Sequence, residues 1–183
     1  MLRAMKILVT GGAGYVGSVL VRQLLARGHR VHVLDNLMFG GNTLLPLFIN
    51  PNFSFAKVDI CDRAAVEAEM DGVDAVVHLA ALVGYPLCKK MPNRAVEVNV
   101  EGTKNVIASM PSDARLVYAS TGSNYGEVEG VCTEDTPLNP LSLYGRVKTE
   151  AEELCLARGT SIALRFATAY GLSPRPRLDL MIN

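Results

Sequence analysis

Two side chains four residues apart, Tyr144 and Lys148 in the run SLYGRVKTEAEELC, could between them move a proton. At that spacing on a helix they share one face. A phenol with its ordinary pKa of about 10 is a poor base at neutral pH. A neighbouring ammonium favours the phenolate, and each unit by which the pKa falls corresponds to about 1.4 kcal/mol. Alone, such a pair would be an ordinary exposed Tyr and Lys. A second group gives it a context. The apolar run RLVYAS ends in Ser120 and Thr121 and continues as TGSNYG, so a hydroxyl from either residue could hold the oxygen that Tyr144 deprotonates.

Near the start, KILVTGGAGYVGS sets Gly11, Gly14 and Gly17 after four strand-formers. Glycine costs backbone entropy, so three in one turn need a reason. A strand followed by such a turn and an amphipathic helix cradles a pyrophosphate on the helix N-terminus. Asp35 closes the next strand, RVHVLD, where a carboxylate accepts hydrogen bonds from the adenosine ribose hydroxyls. It would repel a 2′-phosphate, so the pattern favours NAD over NADP. An oxidised nicotinamide would add positive charge beside Tyr144 and lower its pKa further.

The elements that position these residues alternate. Strands are expected at KILVTG, RVHVLD, FSFAKVDI, VDAVVHLA, RLVYAS and SIALRFA. Helices are expected over YVGSVLVRQLLARG, RAAVEAEM, roughly Asn93 to Met110, and SLYGRVKTEAEELCLARG, with a possible short one around Leu44–Ile49. A proline-containing loop should precede Asn93, and a long polar loop should run to Leu141. Alternation of this kind means βαβ units and a parallel sheet, with helices on both faces because several strands are apolar without alternation.

Bulk properties narrow the class. The 183 residues are enough for one domain with a sizeable core, 49% hydrophobic and 20% charged. Lys plus Arg and Asp plus Glu both number 18, so nothing points to nucleic acid or to an anionic membrane surface. No apolar run approaches the ~20 residues that span a bilayer. Cys61, Cys88, Cys132 and Cys155 form no CxxC pair, so neither a metal site nor a disulfide framework is expected. A cytoplasmic location is the expectation.

TGGAGYVG, Asp35, Val58–Asp59, His78–Ala81 (HLAA), Asn99–Thr103 (NVEGT), YAST and YGRVK stand in the order seen in extended short-chain dehydrogenases/reductases. The chain resembles their NAD-dependent epimerase/dehydratase branch, which includes nucleotide-sugar 4-epimerases. The resemblance implies a Rossmann-like, doubly wound parallel sheet binding NAD. Gly11, Gly14 and Gly17, with the Tyr15 and Val16 amides, would cradle the pyrophosphate. Asp35 and Asn36 would take the ribose, and Asp59 and Ile60 would flank the adenine. Leu79, Ala80 and Ala81 match the segment over which the cofactor passes, and Asn99 the central-helix Asn near the active site. Tyr144 would be the base, Lys148 would bind the nicotinamide ribose, and Thr121 would hold the substrate oxygen, with Ser120 as the alternative. His78 fits a packed strand-end residue better than a catalyst.

Some positions depart from the branch. Gly122 and Ser123 stand where dehydratases carry an acid pair, which disfavours dehydration. Thr168 replaces an Asn of many nucleotide-sugar members, and Val83 a basic residue of some hexose epimerases. The expectation is therefore a nucleotide-sugar 4-epimerase acting through a 4-keto intermediate. A ketoreductase or dehydrogenase of the same family is the alternative, and a non-catalytic NAD sensor or scaffold the alternative of another class. Residues 1–172 would form the NAD-binding domain and 173–183 the start of a missing substrate segment. Residues 1–183 alone are expected to bind NAD without turning over a sugar, and the SPRPRLDLM tail is expected to be mobile. A homodimer through the helices around Asn93–Met110 and Leu143–Leu156 is also expected.

Overall fold

Short apolar runs bounded by glycine, proline or a polar turn become the strands. In the computed structural model, which describes residues 3–179, there are six: β1 (Lys6–Thr10), β2 (Arg30–Asp35), β3 (Phe53–Lys57), β4 (Ala75–His78), β5 (Arg115–Thr121) and β6 (Ser161–Phe166). They form one sheet in the order β3-β2-β1-β4-β5-β6, with every neighbouring pair parallel. The direction of travel across the sheet reverses between β1 and β4, and a crevice at the C-terminal ends of strands opens at such a switch point. The crossovers carry α1 (Gly17–Ala26), α2 (Arg63–Ala68), α3 (Tyr85–Lys90), α4 (Pro92–Val96), α5 (Gly102–Ser109) and α6 (Leu143–Leu156).

Period-two alternation sorts the core into two layers. Leu8, Leu34, Val76, Leu116 and Tyr118 pack with Val66 of α2, Val106 of α5 and Ala151 of α6. Ile7, Val9, Val31 and Val33 face the other way, onto Val21 and Leu25 of α1. Helices thus lie on both faces, but α1 covers only the β1–β2 half of its side. On β6, Ala163 packs into the α6 layer. The alternate residues Ile162, Leu164 and Phe166 are 60%, 42% and 40% exposed.

Three local readings are corrected. The stretch expected as a loop before Asn93 contains α3. Gly84, at φ 91°, turns the chain into it, and Pro86 sits in the first turn, where its missing N–H costs nothing. The single helix expected from Asn93 to Met110 is α4, a wide π-helical turn over Glu97–Glu101, and α5. The short helix around Leu44–Ile49 is one 3₁₀ turn, Leu45–Leu47. The tail expected to be loose makes polar contacts at and just before its start. Ser173 Oγ donates to Tyr15 O at 2.7 Å, and the Tyr15 hydroxyl donates to Gly171 O at 2.7 Å. Leu178 is exposed, and Leu180 and Met181 lie outside the described residues.

Candidate functional site

The C-terminal ends of β1, β2, β4, β5 and β6 open onto one cleft of about 1050 Å³. Every residue singled out in the sequence for cofactor or chemistry lines it except Asn99. The glycine turn is bare for steric reasons. Gly11 has φ +72°, and a Cβ there would lie 2.7 Å from Ala80 N. A Cβ on Gly17 would lie 2.3 Å from Gly11 O. The turn between β1 and α1 is therefore pressed against both the loop after β4 and the first turn of α1. No acidic side chain occupies that first turn and no side chain caps it, which suits an anion at the helix N-terminus.

The two acids of this end behave oppositely. Asp35 accepts from Ala13 N–H at 3.0 Å and from Leu37 N–H at 2.8 Å. Burial nonetheless pushes its carboxyl above the ordinary value, outweighing those bonds and the more distant Arg175. Burial works the same way on Asp59, but it is outweighed by the Cys61 N–H, the Asn36 amide and the Arg94 guanidinium, so this carboxyl falls below its usual value. Arg94 bridges Asp59 to Glu97.

A buried relay holds the loop after β4. Ala80 N–H donates to Thr10 Oγ1 at 3.2 Å, and Thr10 Oγ1 is 2.6 Å from His78 Nδ1. His78 Nε2 is 3.0 Å from Thr103 Oγ1, whose own proton goes to Asn99 O at 2.7 Å. The proton of neutral His78 is therefore on Nε2 and Thr10 donates to Nδ1. Burial first, then the nearby Lys148 charge, push the imidazole down to about 3. The Asn99 side chain closes the relay, accepting from Leu82 N–H at 2.8 Å and donating to Leu82 O at 3.0 Å. Both of its polar ends grip the loop, so Asn99 is placed to position Leu79–Leu82 rather than to touch a ligand. The wide turn at Glu97–Glu101 is where it reaches out.

At the other end of the cleft, Ser142 caps α6 by accepting from Gly145 N–H at 3.0 Å, and the helix presents Tyr144 and Lys148 on one stripe. Thr121 and Tyr144 line the same cleft, and the Thr121 hydroxyl acts to lower the pKa of the phenol. Lys148 is 3% exposed, with its Nζ 4.0 Å from the Tyr118 ring centroid. Burial pushes Lys148 down to about 7, against the opposing pull of Cys155, Glu152 and Cys88. Tyr144 departs from the expectation of a lowered pKa. Among the protein's own groups burial dominates and raises it, while Thr121 and Arg177 pull it down. Ser120 also lines the cleft, but its hydroxyl is already bonded. Its hydroxyl donates to buried Glu152, which also accepts from Asn124 Nδ2 at 2.9 Å and, on its other oxygen, from Arg165 Nη2 at 2.7 Å. That leaves Thr121 as the hydroxyl beside Tyr144.

Glu152 could have been read from the sequence, two helical turns past Tyr144 on the same stripe. Phe39 and Arg175, which also line the cleft, carried no local signal. The glycine steric fit, the strand-end acid and the small residues Ala80 and Ala81 together suit a dinucleotide laid across the switch point.

Comparison with known proteins agrees. The pattern of the NAD dependent epimerase/dehydratase family matches residues 7–181. The UDP-glucose 4-epimerase of Lactobacillus helveticus is 38% identical over 156 residues, covering 82% of this chain and 46% of that protein. The dTDP-glucose 4,6-dehydratase of Streptomyces niveus is 37% identical over 164 residues, covering 84% and 49%. The solved structure of the Thermus thermophilus UDP-glucose 4-epimerase in complex with NAD matches with TM-score 0.80 at 35% identity, covering 88% of this chain and 54% of that one. The chain thus spans about half the length of the curated relatives it matches. By sheet order, sequence pattern and solved relatives alike, this chain belongs to the NAD-dependent epimerase/dehydratase family.

Proposed function

We propose that the chain is the cofactor-binding and proton-transferring part of a nucleotide-sugar 4-epimerase working through a transient 4-keto sugar. The observation that carries this reading is the meeting, in one cleft, of the Thr121–Tyr144–Lys148 group with the glycine turn and Asp35. NAD, when bound, supplies a hydride acceptor and donor. The chain's residues do the rest. Gly11, Gly14 and Gly17 with the Tyr15 and Val16 amides hold the pyrophosphate. Asp35 and Asn36 hold the adenosine ribose, and Asp59 and Ile60 flank the adenine. Tyr144 takes the proton of the sugar 4-OH while Thr121 steadies that oxygen. Lys148 holds the second ribose and offsets the phenolate charge. Catalysis then rests on positioning and on buried charge.

A dehydratase relative is as similar in sequence as an epimerase one, so identity does not choose between them. The residues after Thr121 support the epimerase reading. Gly122 and Ser123 offer no acid to expel water, and the Ser123 N–H is itself bonded to Thr121 Oγ1 at 3.2 Å. The proposal includes a homodimer through α4, α5 and α6. No helix among the described residues is long and apolar enough to cross a membrane.

The test pairs NAD calorimetry with an assay on UDP-, GDP- and dTDP-hexoses. The expected result is that residues 1–183 bind NAD without turnover, and that a longer protein containing them interconverts 4-epimers without accumulating NADH. Accumulating NADH would favour a dehydrogenase. Tight NAD binding with no turnover in the longer protein would favour a sensor, and no NAD binding would sink the reading.

A further inference from the structure

The adenosine end of the cleft holds a cation from far along the chain. Arg175 lines the cleft, and its charge is felt by Asp35. Its guanidinium stacks on Phe39, in the turn after β2, with Cζ 4.5 Å from the ring centroid. Its backbone is fixed as well. Arg175 N–H donates to Ser173 Oγ at 3.2 Å, and Ser173 Oγ donates to Tyr15 O at 2.7 Å in the glycine turn. Arg175 makes no ion pair among the described residues. A stacked guanidinium keeps its edge N–H donors open, and their planar fork matches a phosphate.

Resting on the reading of this cleft as a dinucleotide site, we propose that Arg175 lets it accept the 2′-phosphate of NADP as well as the free ribose of NAD. Asp35 alone would exclude that phosphate, because the acid stands where the 2′-hydroxyl is recognised. With the Arg175 guanidinium stacked on Phe39, four residues past Asp35 in the same cleft, attraction and repulsion act together and Asp35 alone no longer decides the outcome. Charge-assisted hydrogen bonds of this kind correspond to about tenfold to a hundredfold in affinity. The segment carrying Arg175 is anchored to the turn expected to hold the pyrophosphate, so the cation is placed by the same scaffold as the ligand.

The experiment is calorimetric titration of the chain with NAD and with NADP, for the unmodified protein, Arg175→Ala and Ser173→Ala, with a thermal melt of each. The unmodified chain is expected to bind NADP no more than about thirtyfold more weakly than NAD. Arg175→Ala should widen the NADP-to-NAD ratio of Kd values by at least about tenfold, and Ser173→Ala should widen it less. A ratio unchanged in Arg175→Ala, including the case where both cofactors weaken equally, would overturn the proposal and leave the segment a structural tie. NAD binding with NADP excluded in the unmodified chain would also overturn it, while the dinucleotide reading would stand. Binding of neither cofactor would defeat both.

Discussion

The two ends of the cleft are built by different means. The end proposed for the adenosine is shaped by backbone: glycines that admit no Cβ, main-chain N–H groups feeding Asp35 and Asp59, and acids still partly open to water. The reacting end is shaped by burial. Lys148 is pushed down to about 7, and Tyr144 is pushed up. A shape made by backbone follows from residue type and spacing. A charge state made by burial depends on what every neighbouring element contributes, and on whatever ligand charge joins it. The first end should therefore fail through sterics and the second through protonation.

The largest effect belongs to the reacting end. In a turnover-competent protein, Tyr144→Phe should lower turnover by roughly 10²–10⁴-fold, the usual contribution of a general acid–base group. NAD affinity should change little. Activity within a few-fold of the unmodified protein would mean that Tyr144 is not the base.

Next comes a steric failure at the other end. Gly17→Ala gains about 1 kcal/mol of helix propensity. It also sets a Cβ 2.3 Å from Gly11 O and 2.7 Å from Gly12 Cα. Both obstacles are backbone, and overpacking of this kind costs about 1–3 kcal/mol or more. The clash wins, so the melting temperature should fall and NAD binding should weaken by about a hundredfold, close to 3 kcal/mol. Gly14→Ala meets only Gly11 O, at 3.1 Å, and should be the milder change. Equal effects at the two positions would remove the steric account of the turn.

Much of this is legible in the sequence because it is local. Strand and helix periods mark all six strands and the helices that carry Tyr144, Lys148 and the glycine turn. Proline misleads at Pro86, since a helix start and a loop both accept it. The wide turn at Asn99 has no sequence period of its own, and only Leu82 across the fold accounts for its direction. The direction of the Tyr144 shift escapes the sequence, because the Lys148 charge can be read there and the burial of the phenol cannot. Ser120 and Thr121 look equivalent until Glu152, itself held by Arg165, and Asn124 claim Ser120. Arg175 belongs to the cleft only through the fold.

Lys148 allows the reacting end to be tested without a substrate. Its pKa is about 7 in the fold against 10.5 ordinarily. The unfolded chain therefore binds this proton more tightly. The stability contribution of the neutral amine is fully present above pH 10.5, declines as the pH falls toward about 7, and is gone below that. Lys148→Met should remove this slope. At pH 7 it should raise the melting temperature by about 4–8 °C, since relief of a buried charge outweighs the lost contact with the Tyr118 ring. NAD binding should weaken in the same variant. A melting temperature that falls would mean that the Tyr118 face and Glu152 already compensate the ammonium.

The smallest expected effect asks whether the relay behind the cleft joins its two ends. His78 sits beside Tyr118, with ring centroids 5.6 Å apart, and Tyr118 lies under Lys148. Through Thr10, the same imidazole holds the Ala80 N–H in the loop proposed to lie under the cofactor. Thr103→Val keeps the side-chain shape and deletes the one hydroxyl that accepts from His78 and donates to Asn99 O. It leaves a buried imidazole N–H without its acceptor, at about 1–3 kcal/mol. For a chain of this size that lowers the melting temperature by about 2–12 °C. Because Leu82 is still gripped by the Asn99 side chain, the loop should loosen rather than collapse. NAD affinity should fall by less than about tenfold, under 1.4 kcal/mol, and Thr103→Ser should restore most of it. If Thr103→Val lowers stability while leaving NAD affinity untouched, the relay only packs the core, and the two ends of the cleft are independent.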